Sequence, residues 1–347
     1  MTFTTLSAIG RHFAWLTAAC IAALAGACTS HRGPTVAPFK APVPVLDAEF
    51  ADPFVLPVAD GLVAYATNRT EADGTGTHTP VSTSRDGRHW TAPVEAMPGA
   101  PPWARAGRPD IWAPEAMRIG ARYVLFFSAR HATRLRPDGL TLCIGAAVAT
   151  QPTGPFVPQP EPLTCGGEHG VIDASPFRDQ DAEGKERLWL VYKTDGNCCG
   201  VPTTFVIQRL RADGLALTGP AHVLAGALND QPWEGKVIEA PQLLRHDGQL
   251  WLFYAGNDYG SGAYATGYAR CDSPLGPCHD APENPILRSL PGTPPLVGPG
   301  HQSVFHHAGR DWIAYHGWRA ASGDRPRYRA MYVQPLDWRD GRPIPAR

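Results

Sequence analysis

The sequence predicts an all-β protein, a five-bladed β-propeller, and three observations predict it. A polar or acidic residue beside Pro or Ser, a short apolar segment, a turn and an aromatic-aliphatic strand recur in five copies at a period of roughly 60 residues. The apolar runs are short and rich in β-branched and aromatic types, with Asp-Gly, Gly-Gln or Ala-Gly turns between them, and 36 Gly and 36 Pro supply the turns. No stretch beyond the N-terminal segment follows the 3.6-residue period of a helix, so the sheets must cover one another, and a closed ring does this economically. A two-sheet sandwich with a small extra domain is the rival, and it leaves so long a period unexplained.

The elements follow in order. Residues 13–27 are almost wholly apolar or small, follow Arg11 and are too short to cross a hydrocarbon core of about 30 Å, so residues 1–28 read as a signal peptide. The run Leu24-Ala25-Gly26-Ala27-Cys28 resembles the lipobox of bacterial lipoproteins, which makes Cys28 the lipid-anchor position. Ala25-Gly26-Ala27 also satisfies the small-x-small rule for simple secretion, so both routes of export stand. Residues 29–45 form a Pro/Ala-rich linker, and residues 46–347 form one propeller domain. The expected protein is a monomer, exported to the periplasm or cell surface and touching the membrane through its anchor alone, or else secreted.

Composition narrows the function. Of 347 residues 18% are charged and 43% apolar, which excludes a disordered chain. Lys and Arg number 31 against 32 Asp and Glu, so no basic field exists to hold nucleic acid. Beyond Cys28 the cysteines are Cys143, Cys165, Cys198, Cys199, Cys271 and Cys278, an even set that suits disulfides in an exported protein. Short loops close most readily, which favours Cys271 with Cys278 and Cys143 with Cys165, and leaves Cys198 with Cys199. A metal site is the other reading of these thiols; no Cys-x-x-Cys or neighbouring His pair accompanies them.

The five copies are Ala51-Asp52-Pro53-Phe54-Val55 with strand 62–67, Ala113-Pro114-Glu115-Ala116-Met117 with 123–128, Ile172-Asp173-Ala174-Ser175-Pro176-Phe177 with 188–193, Ile238-Glu239-Ala240-Pro241-Gln242-Leu243 with 250–255, and His301-Gln302-Ser303-Val304-Phe305 with 312–316. Asp52, Glu115, Asp173, Glu239 and Gln302 serve as their markers. In a propeller the innermost strands line one channel, so equivalent positions converge although they are distant in sequence. Asp52, Asp173 and Glu239 sit within apolar runs, where a carboxylate is costly without a task or a partner.

These segments, with Trp112-Ala113-Pro114-Glu115 and Gly300-His301-Gln302-Ser303, look like the ordered motifs of glycoside hydrolase family 43, over about residues 47–338. That family comprises arabinanases, α-L-arabinofuranosidases and β-xylosidases. The resemblance implies hydrolysis with inversion on a five-bladed propeller, with Asp52 as general base, Glu239 as general acid and Asp173 tuning the acid. Such chemistry needs one ionised and one protonated carboxyl at the same pH, and a third carboxylate near Glu239 is expected to keep it protonated. An inverting pair also needs room for water, with carboxyls about 6.5–9.5 Å apart. Trp112 is expected as a sugar-stacking wall, and Glu115 as a structural partner rather than a catalyst. His301 and Gln302 are expected in the sugar-binding channel, with no cofactor required and a structural calcium or sodium ion placed by the resemblance near His301. The partners implied are arabinose- or xylose-containing glycans.

The fifth motif reads Gly-His-Gln-Ser, and Phe-Ala-Asp-Pro lacks a preceding histidine, so neither matches the endo-acting arabinanase pattern. A propeller that binds glycans without cleaving them, and a retaining fructan-cleaving family that shares the Asp-Pro start, are the alternatives. The segment Asp-Gly-Asn-Cys-Cys-Gly, residues 195–200, is expected at the pocket rim, and loops 71–79 and 135–140 are expected to shape it. Trp90, Trp103, Trp251 and Tyr259 are expected in the core rather than in a subsite.

Overall fold

A computed structural model describes residues 42–70, 76–181, 183–292, 295–322 and 327–346. The expected signal peptide, Cys28, most of the linker and residues 71–75 of the first pocket loop lie outside the described residues. Five four-stranded antiparallel sheets follow one another along the chain, each pairing its strands in chain order. Blade I comprises Phe54–Val58, Gly61–Tyr65, Pro80–Ser84 and Val94–Glu95, with a small hairpin, Arg69–Thr70 with Gly76–Thr77, inserted after its second strand. Blade II comprises Trp112–Ile119, Arg122–Arg136, Gly139–Ala149 and Val157–Pro158; blade III comprises Val171–Gln180, Glu186–Thr194, Phe205–Leu210 and Leu217–Val223. Blade IV comprises Ile238–His246, Gln249–Gly256, Ala265–Cys271 and Cys278–Asp280; blade V comprises Gly300–His307, Arg310–Arg319, Tyr328–Arg339 and Arg342–Pro345. Among the described residues the helical content is one 3-10 turn, Pro232–Glu234.

The first strands of neighbouring blades touch all the way round, that of blade V against that of blade I included, so the sheets form the expected five-bladed ring. Successive residues of a strand point to opposite faces, and here both faces are covered. Phe127 therefore packs toward blade I while Phe126 packs toward blade III. In the same way Tyr254 faces blade III and Phe253 faces blade V. This two-sided burial is why the second strands read as nearly unbroken apolar runs.

Among the described residues no disulfide spans the seam between blades V and I. Residues 45–50 lie along the third strand of blade V: Val45 N–H donates to Met331 O at 2.9 Å, Met331 N–H to Leu46 O at 3.2 Å, and Phe50 N–H to Arg329 O at 2.8 Å. Phe50 and Val55 pack with Phe305, Ala314 and Met331 across the same seam. The three disulfides pair as the short loops favoured, Cys143–Cys165, Cys198–Cys199 and Cys271–Cys278. The last of these joins register partners on the two outer strands of blade IV.

Each blade enters the mouth of the ring through one residue in left-handed conformation: Asp52 (φ 54°), Ala113 (46°), Asp173 (57°), Ala240 (53°) and His301 (51°). In blades II to V this residue opens a bulge in the first strand. These are the true structural equivalents, so three of the markers taken from the sequence are out of step. Glu115 lies two residues after the bend, Glu239 one before it, and Gln302 one after it.

Bending the strand turns the N–H of that residue out of its own ladder, and the preceding blade accepts it. Thr67 Oγ1 accepts Ala113 N–H at 3.0 Å, Ser128 Oγ accepts Asp173 N–H at 3.1 Å, and His316 Nδ1 accepts Asp52 N–H at 3.2 Å. All three acceptors stand at one equivalent position, the end of the second strand, which Lys193 and Ala255 occupy in blades III and IV. For Ala240 N–H the acceptor is Asp173 Oδ2, at 2.9 Å. Ser128→Ala leaves the buried Asp173 N–H without its acceptor and is expected to cost about 1–3 kcal/mol. The measurement is urea unfolding, where the midpoint should fall at unchanged slope; an unchanged midpoint would mean that the cap carries no stability.

Candidate active site

The bends bring four carboxyl groups, Asp52, Glu115, Asp173 and Glu239, into the buried mouth of the ring. Asp52 Oδ1 lies 2.9 Å from Arg329 Nη1, 3.1 Å from His316 Nδ1 and 3.4 Å from His301 Nδ1, and Oδ2 accepts a hydrogen bond from Thr67 Oγ1. Burial on its own raises the pKa of Asp52. Arg329 first, then His301, outweigh it and hold the carboxyl well below the ordinary range. Asp52 is thus held ionised.

Glu239 precedes the bend of blade IV and is surrounded by donors. Tyr264 OH donates to Oε1 at 2.6 Å; Asn197 Nδ2 and Lys193 Nζ donate to Oε2 at 3.1 and 3.3 Å. Burial pushes its pKa up, but Lys193, the Tyr264 hydroxyl, His301 and Asn197 together pull it below the ordinary value. Tyr264 reaches this place because residue 300 is glycine: a Cβ there would fall 2.2 Å from Tyr264 Cε1. Its ring also stacks on His316, centroids 5.6 Å apart, so one aromatic pair spans from Glu239 to the surroundings of Asp52.

Asp173 stands between blades III and IV, with Oδ2 on the Ala240 N–H. Burial raises its pKa; His301 opposes this and the charge of Glu239 adds to it, leaving Asp173 at about 6. Burial and neighbouring charges thus move the two carboxyls in opposite directions, Asp173 up and Glu239 down: Lys193, Asn197 and Tyr264 direct donors at Glu239, whereas Asp173 receives one backbone N–H. Glu115 is pushed up to about 8 by burial and by Asp173, against a hydrogen bond from Ser175, so it is a neutral acid in the wall, and its Oε2 is unpaired among the described residues.

The other expected residues divide. Trp112 is half-buried, holds in blade II the place of Glu239 in blade IV, and carries Arg130 5.7 Å over its ring. His301 lies beside Asp52, as described. Gln302 is buried and its amide Nε2 donates to Ala240 O at 2.8 Å, so it clamps blade V to blade IV rather than offering that group to a ligand. Residues 195–200 do form the rim, since exposed Asn197 reaches Glu239. Segment 135–140 is the tip of a long hairpin, not an irregular loop, and its Arg136 is tied to Asp195 of that rim. Trp103 and Trp251 are core residues, whereas Tyr259 is 48% exposed, with Arg329 5.2 Å from its ring.

Sequence reasoning missed Arg329, His316, Tyr264, Lys193 and Asn197. A signal existed for two of them: the five second strands chosen from the sequence end on Thr67, Ser128, Lys193, Ala255 and His316, and a polar side chain closing an apolar run was the clue. A consequence for Asp52 is measurable. Its native pKa lies below the unfolded value near 3.9, so its ionisation stabilises the fold above about pH 4, and this is lost as pH falls toward the native value. Arg329→Met raises the native value and should move the midpoint of acid unfolding to higher pH; an unmoved midpoint would show that Arg329 does not hold the charge.

Known proteins share the fold described above. Residues 41–343 match the family described as glycosyl hydrolases family 43. The chain is 24% identical over 262 residues to a β-xylosidase of Xylanibacter ruminicola, covering 68% of this chain and 73% of that protein. It is 27% identical over 256 residues to an extracellular endo-α-(1→5)-L-arabinanase of Thermotoga petrophila, covering 64% of this chain and 50% of the arabinanase. A crystal structure of a thermostable family-43 glycoside hydrolase superposes with a TM-score of 0.72 at 26% identity, over 89% of this chain and 96% of that one. With a family match running from the N-terminal seam into the last blade, the chain belongs to glycosyl hydrolases family 43, a glycoside hydrolase on a five-bladed propeller.

Proposed function

We propose that the protein hydrolyses α-L-arabinofuranosyl or β-D-xylosyl linkages in plant-type polysaccharides or their oligosaccharides, with inversion. The observation that carries this reading is a carboxylate held ionised by Arg329 in the same mouth as a carboxyl pair that retains a proton. Asp52 is the base: it takes a proton from water as the water oxygen bonds to the anomeric carbon. Glu239 is the acid: it gives the proton of the Asp173–Glu239 pair to the departing sugar oxygen, which keeps the electrons of the broken bond. Asp173 stores that proton between turnovers. Trp112, next to the bend of blade II, offers a stacking face to a sugar ring. The relatives named β-xylosidase and arabinanase support the two sugar types, and the arabinanase named extracellular supports export.

Beside His301, Gln302 Oε1 is unpaired among the described residues and Asp52 Oδ1 lies 3.4 Å from the imidazole Nδ1, so a calcium or sodium ion there would draw most of its ligands from water, and no step here is assigned to an ion.

Proton NMR of the anomeric signals during cleavage of aryl α-L-arabinofuranoside or aryl β-D-xyloside should show the inverted sugar first; retained configuration would exclude this pairing of base and acid. Asp52→Asn should abolish cleavage of every substrate, while Glu239→Gln should still cleave aryl glycosides with good leaving groups, and equal loss on both kinds would refute the roles. The working form carries the pair's proton, so kcat/KM should fall as pH rises through about 6. For the anchor, mass spectrometry of the mature protein should find diacylglycerol on Cys28, and an unmodified start there would leave simple secretion.

A further inference from the structure

We propose that Lys193 sets the acid strength of Glu239, stabilising the carboxylate that Glu239 becomes when its proton passes to the departing sugar oxygen. This rests on the reading of Glu239 as the acid. The position of Lys193 is the first argument. In blades I, II and V the end of the second strand carries Thr67, Ser128 and His316, each accepting the N–H at the bend of the next blade. A lysine ammonium cannot accept, and in blade IV that N–H is taken by Asp173 Oδ2 instead. Lys193 is thereby released from the capping task its equivalents perform. Its ammonium turns to Glu239 Oε2 at 3.3 Å and to Asn197 Oδ1 at 2.7 Å.

Burial is the second argument. The Lys193 side chain is 0% exposed, and an ammonium without water is strongly unfavourable unless acceptors and an opposite charge face it. Among the described residues the carboxylate it touches is Glu239. Around Glu239 the groups contributed by each packed element are Lys193 from the second strand of blade III, Asn197 from the rim segment, Tyr264 from blade IV, His301 from blade V and Asp173 from the first strand of blade III. Tyr264 and Asn197 are neutral donors, His301 lies against Asp52, and Asp173 opposes a negative charge on Glu239. Lys193 is the cation in direct contact.

The chemistry gives this contact a purpose. As the glycosidic bond breaks, its electron pair goes to the leaving oxygen, the Glu239 proton follows, and Glu239 is left negative beside Lys193. A stronger acid helps most when the leaving oxygen is that of a sugar, a poor leaving group. It helps little when the group is a nitrophenolate that departs unaided. In exchange the protonated working form persists only to a lower pH. Lys193 is a positioning residue in this account, acting through Glu239.

The test uses Lys193→Met and Lys193→Gln, with the pH dependence of kcat/KM measured on a short oligosaccharide and on aryl glycosides of graded leaving group. The alkaline limb should move up by about one pH unit or more. On the acidic plateau the rate on the oligosaccharide should fall about tenfold or more, with a much smaller loss on the best aryl glycoside. Folded variants with an unmoved limb and an unchanged leaving-group dependence would overturn the proposal. Should both variants fail to fold, carbon-13 titration of the Glu239 carboxyl in the unaltered protein decides: a value below the ordinary one for glutamate supports it, and one above overturns it. That titration needs no substrate, so a wrong choice of sugar, seen as no turnover of any glycoside, is told apart from a wrong role for Lys193.

Discussion

The mouth of this ring depends on one left-handed bend per blade. A residue with a Cβ in that conformation is strained by about 1–2 kcal/mol, and none of the five is glycine. What offsets the strain is the neighbour: the N–H freed by the bend donates to a side chain of the preceding blade in blades I to IV. Local strain and inter-blade cohesion are therefore two sides of one device. The same bend explains the chemistry of the positions around it. The bent residue leaves the regular ladder, and the one before it is the register partner next to the break; Asp52, Asp173 and His301 occupy the first place, Glu239 and Trp112 the second.

Burial treats the four carboxyl groups of the mouth alike, since it raises the pKa of each. Their differences come from partners. Arg329 belongs to Asp52 and Lys193 to Glu239, while Asp173 receives a backbone N–H and Glu115 leaves an oxygen unpaired. Two carboxyls with a cation in contact are held down, and two without one are held up. This separation is produced by two cationic residues on different blades.

Much of this architecture was legible in the sequence because the repeat is long and its aromatic strands are nearly uninterrupted. The blade count and the carboxylates of the mouth followed from it. Exact equivalence did not, because a bulge inserts residues outside the alternating pattern and shifts the visible marker by one or two places, as at Glu115, Glu239 and Gln302. Arg329 and Tyr264 were invisible for another reason. They lie on or just before third strands, outside the repeated motif, and meet their carboxylates only through the closure of the ring. The opposite directions in which Asp173 and Glu239 are shifted were likewise out of reach, since they turn on Lys193 and Asn197.

The seam between residues 45–50 and blade V sets a clock on the molecule's birth. A ribosome releases the early segment first and Arg329 and Met331 only after the four preceding blades, so Leu46 must wait for all of these before its partner exists. Until then the apolar surface of Phe50 and Val55 has no cover and the Asp52 carboxylate has no cation, so blade V both closes the ring and supplies the charge that Asp52 faces.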